Sequence, residues 1–529
     1  MKSKLHYLAN LLFPAFVFGA VTGTVTSIVV TIFKWCAHHA VEFSKHGYEF
    51  IGTHWYLIPV VLVALFALSY LMTCIYKKAP DLCGGGIPFS VGLIRDVLTF
   101  KWLRNMVGVF FLSLLSFLLG VPLGTEGPSV QLGTSLGKGA VCVLANKNKA
   151  WSRYSMTGGA CAGFSVATGA PVSGILFAVE EAHERVSPMI IIVAMSAVMF
   201  ATITARLLSP VFGVSFSLFP TVQVLPCSLS DVWLTIIIGI LMGLVSVLFL
   251  KAYHLLSNLF NKTLKSVSAH YKIFVVMGLT LVAGLFSFSF VSTGHGLILS
   301  LYETSFPIYM LIIILVVRMM LTLGANTSGM TGGMFLPVLA LGAVSASLIA
   351  QIVSPIFGLG QEYYTLIMAL GITACISGVL KMPLTAIFFA IEALGCANNA
   401  LCVVVVSVIS FGFTEIFSVQ SINDLALSAS VRKENYGKSE TVVETTLMVL
   451  EGSFADGKRV RDIFWPSGFY VLSVSDGKVK ASGSGSSMLK ANDKLFVRYS
   501  TFDNARTRQE LNDILGAQDY PQQENEQTN

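Results

Sequence analysis

Charge is scarce in this chain. Of 529 residues, 28 are Asp or Glu and 34 are Lys or Arg, and the net charge of +6 is spread out. No Lys/Arg stripe is interleaved with aromatics, which argues against a nucleic-acid surface. The nine histidines form no His-Glu-x-x-His motif, and Ser292-Thr293-Gly294-His295-Gly296 reads as an isolated helix-capping turn. Hydrolytic or metal chemistry is therefore not expected, and no metal or cofactor is called. A carbonyl-lined Thr-Val-Gly-Tyr-Gly filter is missing too, which excludes that kind of cation channel. The nine cysteines (Cys36, Cys74, Cys83, Cys142, Cys161, Cys227, Cys375, Cys396 and Cys402) are odd in number and contain no Cys-x-x-Cys. They read as small buried hydrophobes, with neither disulfides nor a metal site expected.

What the chain has instead is long apolar runs, at 54% hydrophobic residues. A membrane-crossing helix needs about 20 such residues. Candidates are Leu11–Phe33, Tyr56–Tyr76, Asn105–Leu123, Ile190–Leu208, Val232–Leu256, Ile273–Val291, Pro307–Leu323, Val338–Phe357, Tyr364–Leu380 and Leu401–Phe417. Val172–Val179 and Leu384–Ile391 are too short to cross alone. Short, Gly- or Pro-broken apolar pieces suggest discontinuous helices meeting near the midplane. Lys2 and Lys4 before the first run, and Lys77 and Lys78 after the second, place both ends in the cytoplasm. No cleavage site is evident, so the first run is read as a retained helix.

Glu126 is costly in this setting, because a carboxylate at membrane depth usually marks a substrate or proton path. It lies in Gly124-Thr125-Glu126-Gly127-Pro128, where Pro128 suits a first helical turn. Exposed N–H groups at such a start attract anions. An ionised acid there competes with a bound anion and vacates the site when protonated, which would couple anions to protons.

The chain also repeats itself. Pro171-Val-Ser-Gly-Ile-Leu-Phe-Ala-Val-Glu180 matches Pro383-Leu-Thr-Ala-Ile-Phe-Phe-Ala-Ile-Glu392, and Gly127-Pro128 leading to Gly133 matches Leu336-Pro337 leading to Gly342. Two pairs in the same order point to duplicated halves with a site between them. The recurrence of Glu180 and Glu392 suggests helix capping rather than catalysis. Whether the halves are inverted is not readable at this level.

Gly84-Gly85-Gly86-Ile87-Pro88, Gly124-Thr125-Glu126-Gly127-Pro128 and Gly333-Met334-Phe335-Leu336-Pro337 resemble, in order, the three anion-site signatures of the CLC chloride channel and transporter family. The resemblance covers roughly residues 8–433. It implies an all-α polytopic membrane fold of two inverted halves with tilted and broken helices, a homodimer, and one anion path per subunit. It makes Glu126 the outer gate and proton acceptor and Glu181 the inner proton relay. Backbone donors at Gly85, Gly86, Gly127, Phe335 and Leu336 would hold the anion, with Ile87 and Phe335 lining the path. Fixed cations are not needed there, since helix-start N–H groups suffice.

Two departures stand out. The family usually has Ser at the place of Gly85 and a Tyr at the place of Asn423, both touching the central anion through hydroxyls. Their absence predicts a less enclosed central site and weaker coupling; Asn423 can still donate through its amide. Thr125 replaces a basic residue common before the gating acid, which removes a nearby positive charge.

After about Arg432 charge becomes dense. Thr445–Leu450, Phe469–Val474 and Lys494–Tyr499 read as strands, Ser475-Asp476-Gly477 as a hairpin turn, and Asp456–Phe464 and Asp503–Ile514 as helices. The spacing resembles the RCK_C (TrkA-C) domains of ion-transport proteins, over about Glu440–Thr501. That implies a small cytoplasmic α/β module that dimerises or binds a small ligand. Ser482-Gly-Ser-Gly-Ser-Ser487 lacks phosphate-loop spacing and reads as a flexible loop. Gln518–Asn529 is polar and reads as disordered. The chain thus divides into 1–433 membrane domain, 434–515 regulatory module and 516–529 tail. The expected activity is chloride/proton exchange in the inner (plasma) membrane, with lipid as surroundings. The alternatives are a passive or weakly coupled chloride channel, or an exchanger for another anion such as nitrate.

Overall fold

Residue 120 is where the course of the first half is decided. A computed structural model of the chain describes residues 13–144, 149–219, 224–263, 267–475, 480–482 and 485–518. Lys2, Lys4, the turn at 476–477, part of the 482–487 loop and the tail from 519 lie outside the described residues. The first half comprises α1 (Phe13–Thr53), α2 (Ile58–Lys78), α3 (Ile87–Ile94), α4 (Trp102–Leu118), α5 (Glu126–Leu144), α6 (Ser152–Thr168), α7 (Pro171–Phe177) and α8 (Pro188–Phe212). The run expected at Asn105–Leu123 ends early as α4. Gly120 takes a left-handed φ of 71°, and Val121 N–H bonds back to Ser116 O, the closure expected of a glycine C-cap. Released from the helix, the chain turns inward and starts α5 at Glu126.

The second half comprises α9 (Val232–Thr263), α10 (Ala269–Phe286), α11 (His295–Glu303), α12 (Ile308–Thr327), α13 (Phe335–Phe357), α14 (Tyr363–Cys375), α15 (Pro383–Ala393), α16 (Ala400–Ile416) and α17 (Ile422–Glu434). Among the described residues, nine helical stretches are long and apolar enough to cross a membrane. The first is longer than expected and runs on to Thr53. Helices dominate because a lipid-embedded backbone must satisfy its own hydrogen bonds.

Packing inside the bundle relies on small residues. A methyl group on Gly133 would stand 1.9 Å from Gly159 O, one on Gly159 2.0 Å from Gly133 O, and one on Gly163 2.2 Å from Ser129 O. These glycines let α5 and α6 approach backbone to backbone, the mode of association open to helices that gain little from burying apolar surface in lipid. Gly23 of α1 meets Ala197 of α8 in the same way.

The halves join at a two-residue antiparallel bridge. Gly124 N–H donates to Gly333 O at 2.7 Å and Gly333 N–H to Gly124 O at 2.9 Å. The cysteine expectation needs correction on two counts: Cys142 is exposed and Cys36, Cys74 and Cys83 are only half-buried, and Cys227 and Cys402 form a disulfide. Cys402 does sit in an apolar helix, but Cys227 lies in the connection before α9. That connection is brought to α16 by Asn399, which accepts the Cys227 N–H at 2.6 Å and donates to Leu225 O at 3.0 Å. Pairing across 175 positions leaves no local sequence signal.

The C-terminal strands β1 (Thr441–Met448), β2 (Phe469–Ser475), β3 (Lys480–Ser482) and β4 (Lys494–Thr501) form one antiparallel sheet in the order β1-β4-β2-β3. It is followed by α18 (Asn504–Leu515). The helix expected at Asp456–Phe464 is only a single turn, Val460–Asp462. Gly457 takes φ 76°, and the N–H groups of Gly457, Val460 and Arg461 go to Leu489, Ser487 and Gly485. Pairing with a distant segment has replaced the local helix.

This unit docks on the membrane helices. Arg153 donates to Phe464 O at 3.1 Å and Trp465 O at 2.7 Å, the Tyr154 hydroxyl donates to Asp462 O, and Phe464 stacks on both Tyr154 and His183. From α18, Arg506 pairs with Asp96 after α3, and the Glu510 carboxyl faces the same Asp96.

Two outcomes are expected. Gly127→Ala puts a methyl 2.6 Å from Gly333 Cα, where no side chain can yield. It should lower stability by about 1–3 kcal/mol or more, whereas Gly278→Ala, with nothing within 4 Å, should not; thermal melting in detergent compares them. Burial first, and then Asp96, push the Glu510 carboxyl above its usual value of 4.5. A raised acid binds its proton more tightly docked than undocked, so docking is favoured at low pH and weakens as pH rises from about 4.5 through the raised value. Exchange protection of α18, corrected for intrinsic rate, should fall between pH 5 and pH 9, and less so in Glu510→Gln.

Candidate functional site

Three helix starts converge beside the bridge: α3 at Gly86, α5 at Glu126 and α13 at Phe335. The first N–H groups of a helix have no partner within it, so convergence concentrates donors. Glycine makes the approach possible. A methyl on Gly86 would stand 3.3 Å from Gly127 Cα, and one on Gly127 3.2 Å from Gly86 Cα. Gly84, Gly85 and Gly86 all have positive φ, at 71°, 91° and 79°, a run that L side chains rarely adopt. Gly84 N–H is anchored to Gly329 O at 2.8 Å, so the first signature loop is tied to the second half.

Glu126 is fully buried at the start of α5. Its Oε1 accepts the Thr125 hydroxyl at 3.1 Å, while Oε2 meets no donor in hydrogen-bonding geometry. Oε2 lies 2.7 Å from where a methyl on Gly124 would stand, and the Leu336 Cβ 2.9 Å from the same point. The carboxylate therefore lies between the starts of α5 and α13, where an anion would meet donors from both halves. Lys34 interacts electrostatically with Glu126 from α1. Its ammonium donates to Val166 O, Ser215 O and Phe216 O at 3.1–3.4 Å. A positive charge missing at Thr125 is thus present on another helix.

Phe335 and Ile87 are buried beside these starts. The Phe335 ring stands edge-on to Phe164 at 5.2 Å and Phe389 at 5.5 Å, and Phe164 stacks on Phe177. This is an apolar collar formed by aromatic rings from both halves.

Glu181 lies in the turn Ala178–Ala182 that extends α7. Asn423, in the first turn of α17, donates its amide to Glu181 Oε1 at 3.0 Å. The amide called as an anion donor is therefore engaged by the second acid. Arg95 holds the same turn through Glu181 O at 2.6 Å and Ala182 O at 3.1 Å, and pairs with Glu184 at 2.7 Å. Glu126 belongs to the convergence of helix starts. Glu181 belongs to the end that faces the C-terminal unit, since the neighbouring His183 stacks on Phe464.

Glu180 and Glu392 cap each other's repeat. Glu180 accepts the N–H groups of Leu384 and Thr385 at 2.7 Å, and Glu392 accepts those of Val172 at 2.9 Å and Ser173 at 3.1 Å. Each acid satisfies the orphan donors of the helix that matches its own.

Sequence reasoning missed two residues here. Lys34 carried a readable signal, an ammonium inside an apolar run. Gln131 sits in the small-residue stretch of α5 and is fully buried, with Oε1 accepting the Gly86 N–H at 2.6 Å. Its partner lies 45 positions away.

Residues 65–415 match the family profile described as voltage gated chloride channel. The chain is 26% identical over 383 residues to the H(+)/Cl(-) exchange transporter ClcA of Klebsiella pneumoniae (strain 342), covering 71% of this chain and 80% of that one. A solved structure of a slow cyanobacterial Cl-/H+ antiporter superposes with a TM-score of 0.71 at 23% identity, covering 80% of this chain and 99% of that one. A CLC-type fluoride/proton antiporter gives a TM-score of 0.63 at 20% identity, with 78% and 98% covered.

The reciprocal caps predict a stability effect. Glu392→Ala strands two helix-start N–H groups and should cost about 0.5–2 kcal/mol, the usual range for losing a cap. Glu180→Ala should cost at least as much, since Glu180 also accepts the Thr385 hydroxyl. Thermal midpoints of the two single variants and the double variant check this.

Proposed function

This chain belongs to the voltage gated chloride channel family, and on that premise we propose that it exchanges chloride for protons across a membrane. The observation that carries the reading is the Glu126 carboxylate, fully buried between the helix starts of both halves and within reach of the backbone N–H groups of Glu126 and Leu336. A carboxylate in that place is itself a tethered anion. Ionised, it occupies the donors that chloride would use; protonated, it loses its claim on them and withdraws, and chloride enters. One group thereby makes anion entry and proton uptake mutually dependent.

Glu181 serves as the inner proton relay, and its bond to Asn423 links it to the inner part of the anion path. Gly86, Gly127, Phe335 and Leu336 act through backbone donors, while Gly85 shapes the loop and Ile87 lines the path. A second reading, a passive or weakly coupled channel, is favoured by one observation: the place of the usual phenol is taken by Asn423, which turns one amide N–H to Glu181. Transport of another small anion, such as nitrate, is compatible with backbone donors, which read charge and size rather than identity.

The protein acts as a homodimer in the inner membrane, surrounded by lipid and with both termini cytoplasmic. The segment after about residue 433 is an RCK_C-like module, supported by its β1-β4-β2-β3 sheet and following helix. Its docking beside the Glu181 turn gives it a position from which a small ligand could regulate exchange.

Reconstitution in liposomes tests the core of this. An imposed chloride gradient should drive proton movement in the wild type. Glu126→Gln and Glu181→Gln should each abolish proton movement, Glu181→Gln while chloride still crosses. Chloride flux without protons in the wild type would replace exchange by the channel reading.

A further inference from the structure

The Gly86 amide is not free. It donates at 2.6 Å to Gln131 Oε1, and that oxygen fills the space left by the missing side chain at 85: a Cβ on Gly85 would stand 2.5 Å from Oε1. The absent hydroxyl of the first signature therefore leaves no hole, because a carboxamide from α5 occupies its place.

Which end of that amide faces Gly86 is set by a chain of partners. Asn105 Nδ2 donates to Asp81 O at 2.9 Å, and Asp81 is paired with Arg104 at 2.5 Å. Asn105 must therefore turn its Oδ1 toward α5, where it accepts from Ser135 Oγ and Gln131 Nε2, both at 3.1 Å. With Nε2 committed to Asn105, Gln131 presents its oxygen to Gly86. Gln131, Asn105 and Ser135 are all fully buried, so water does not compete for these bonds and the orientation holds.

We propose that Gln131 is a resident, neutral ligand of the Gly86 donor, so that a small monovalent anion reaches this donor only by displacing the Gln131 carboxamide. Gln131 thus sets anion affinity at the α3 start, as an uncharged counterpart of what Glu126 does at the α5 start. The inference rests on reading the three helix starts as an anion path. It differs in that Gln131 does not titrate: its hold on the donor is the same at every pH, so it adds a constant toll on anion occupancy rather than a proton-coupled one. It also accounts for Gly85. With φ at 91° and Oε1 beside it, a hydroxyl residue at 85 fits neither the backbone nor the space.

Chloride binding to the purified full-length protein, followed by calorimetry, tests this. Gln131→Met keeps the volume and removes the acceptor, so affinity should rise about fivefold to tenfold, the worth of one amide hydrogen bond no longer broken on entry. Gln131→Glu keeps an acceptor and adds charge, so chloride affinity should fall at least as much. If Gln131→Met does not purify as a folded protein, Gln131→Ala carries the same expectation. Affinity within twofold of wild type in Gln131→Met or Gln131→Ala, or a fall, overturns the proposal while leaving exchange intact. A wild-type chain that neither binds chloride nor moves protons overturns both.

Discussion

The contact between Gly124, Gly127 and Gly333 is the constraint on which the rest depends. Backbone meets backbone there across two halves separated by some two hundred positions in the chain, and a single methyl group would part them. Once it forms, the starts of α5 and α13 must face one another, and with them every unpaired N–H of their first turns. Backbone donors concentrated there attract anions while holding them loosely, which is what conduction requires. The glycine stripe between α5 and α6 and the reciprocal caps of Glu180 and Glu392 then keep those starts in place. The caps do so symmetrically: each half finishes the other's helix, so neither site element is complete alone.

How much of this was legible in the sequence follows from the range of each interaction. The repeat, the helix starts and the buried acid were readable because each is local: a Gly-Pro pair, an apolar run, a carboxylate where none is cheap. The capping role of Glu180 and Glu392 was readable because the repeat displayed it twice. The Cys227–Cys402 bond, the Gln131–Gly86 bond and the pairing of Gly457–Arg461 with 485–489 were not, since both partners of each look ordinary in their own neighbourhood. Lys34 falls between. Its rarity in an apolar run was visible, but its relation to Glu126 depends on how α1 crosses the bundle.

The departures at Gly85 and Asn423 take on different meanings in three dimensions. Read along the chain, both are losses of a hydroxyl. In space, the first is a substitution by Gln131 and the second a reassignment, with the Asn423 amide drawn to Glu181. The C-terminal unit sits close to that second change, through Phe464 on His183 and Arg153 on Trp465. A displacement of the unit would be felt first by the turn that carries Glu181.

The disulfide has a topological consequence. By closing the chain between Cys227 and Cys402, it makes α9 to α15 a covalent ring, and Gly333, Phe335, Leu336 and Glu392 all lie on it. Gly86, Glu126, Gln131, Glu181 and Asn423 lie on the open thread to either side. The seam between the helix starts is therefore a seam between a ring and a thread. A nick in any loop of the ring leaves its pieces linked, whereas a nick in the thread between α5 and α8 cuts the gate-bearing segment free of every covalent tie to the ring.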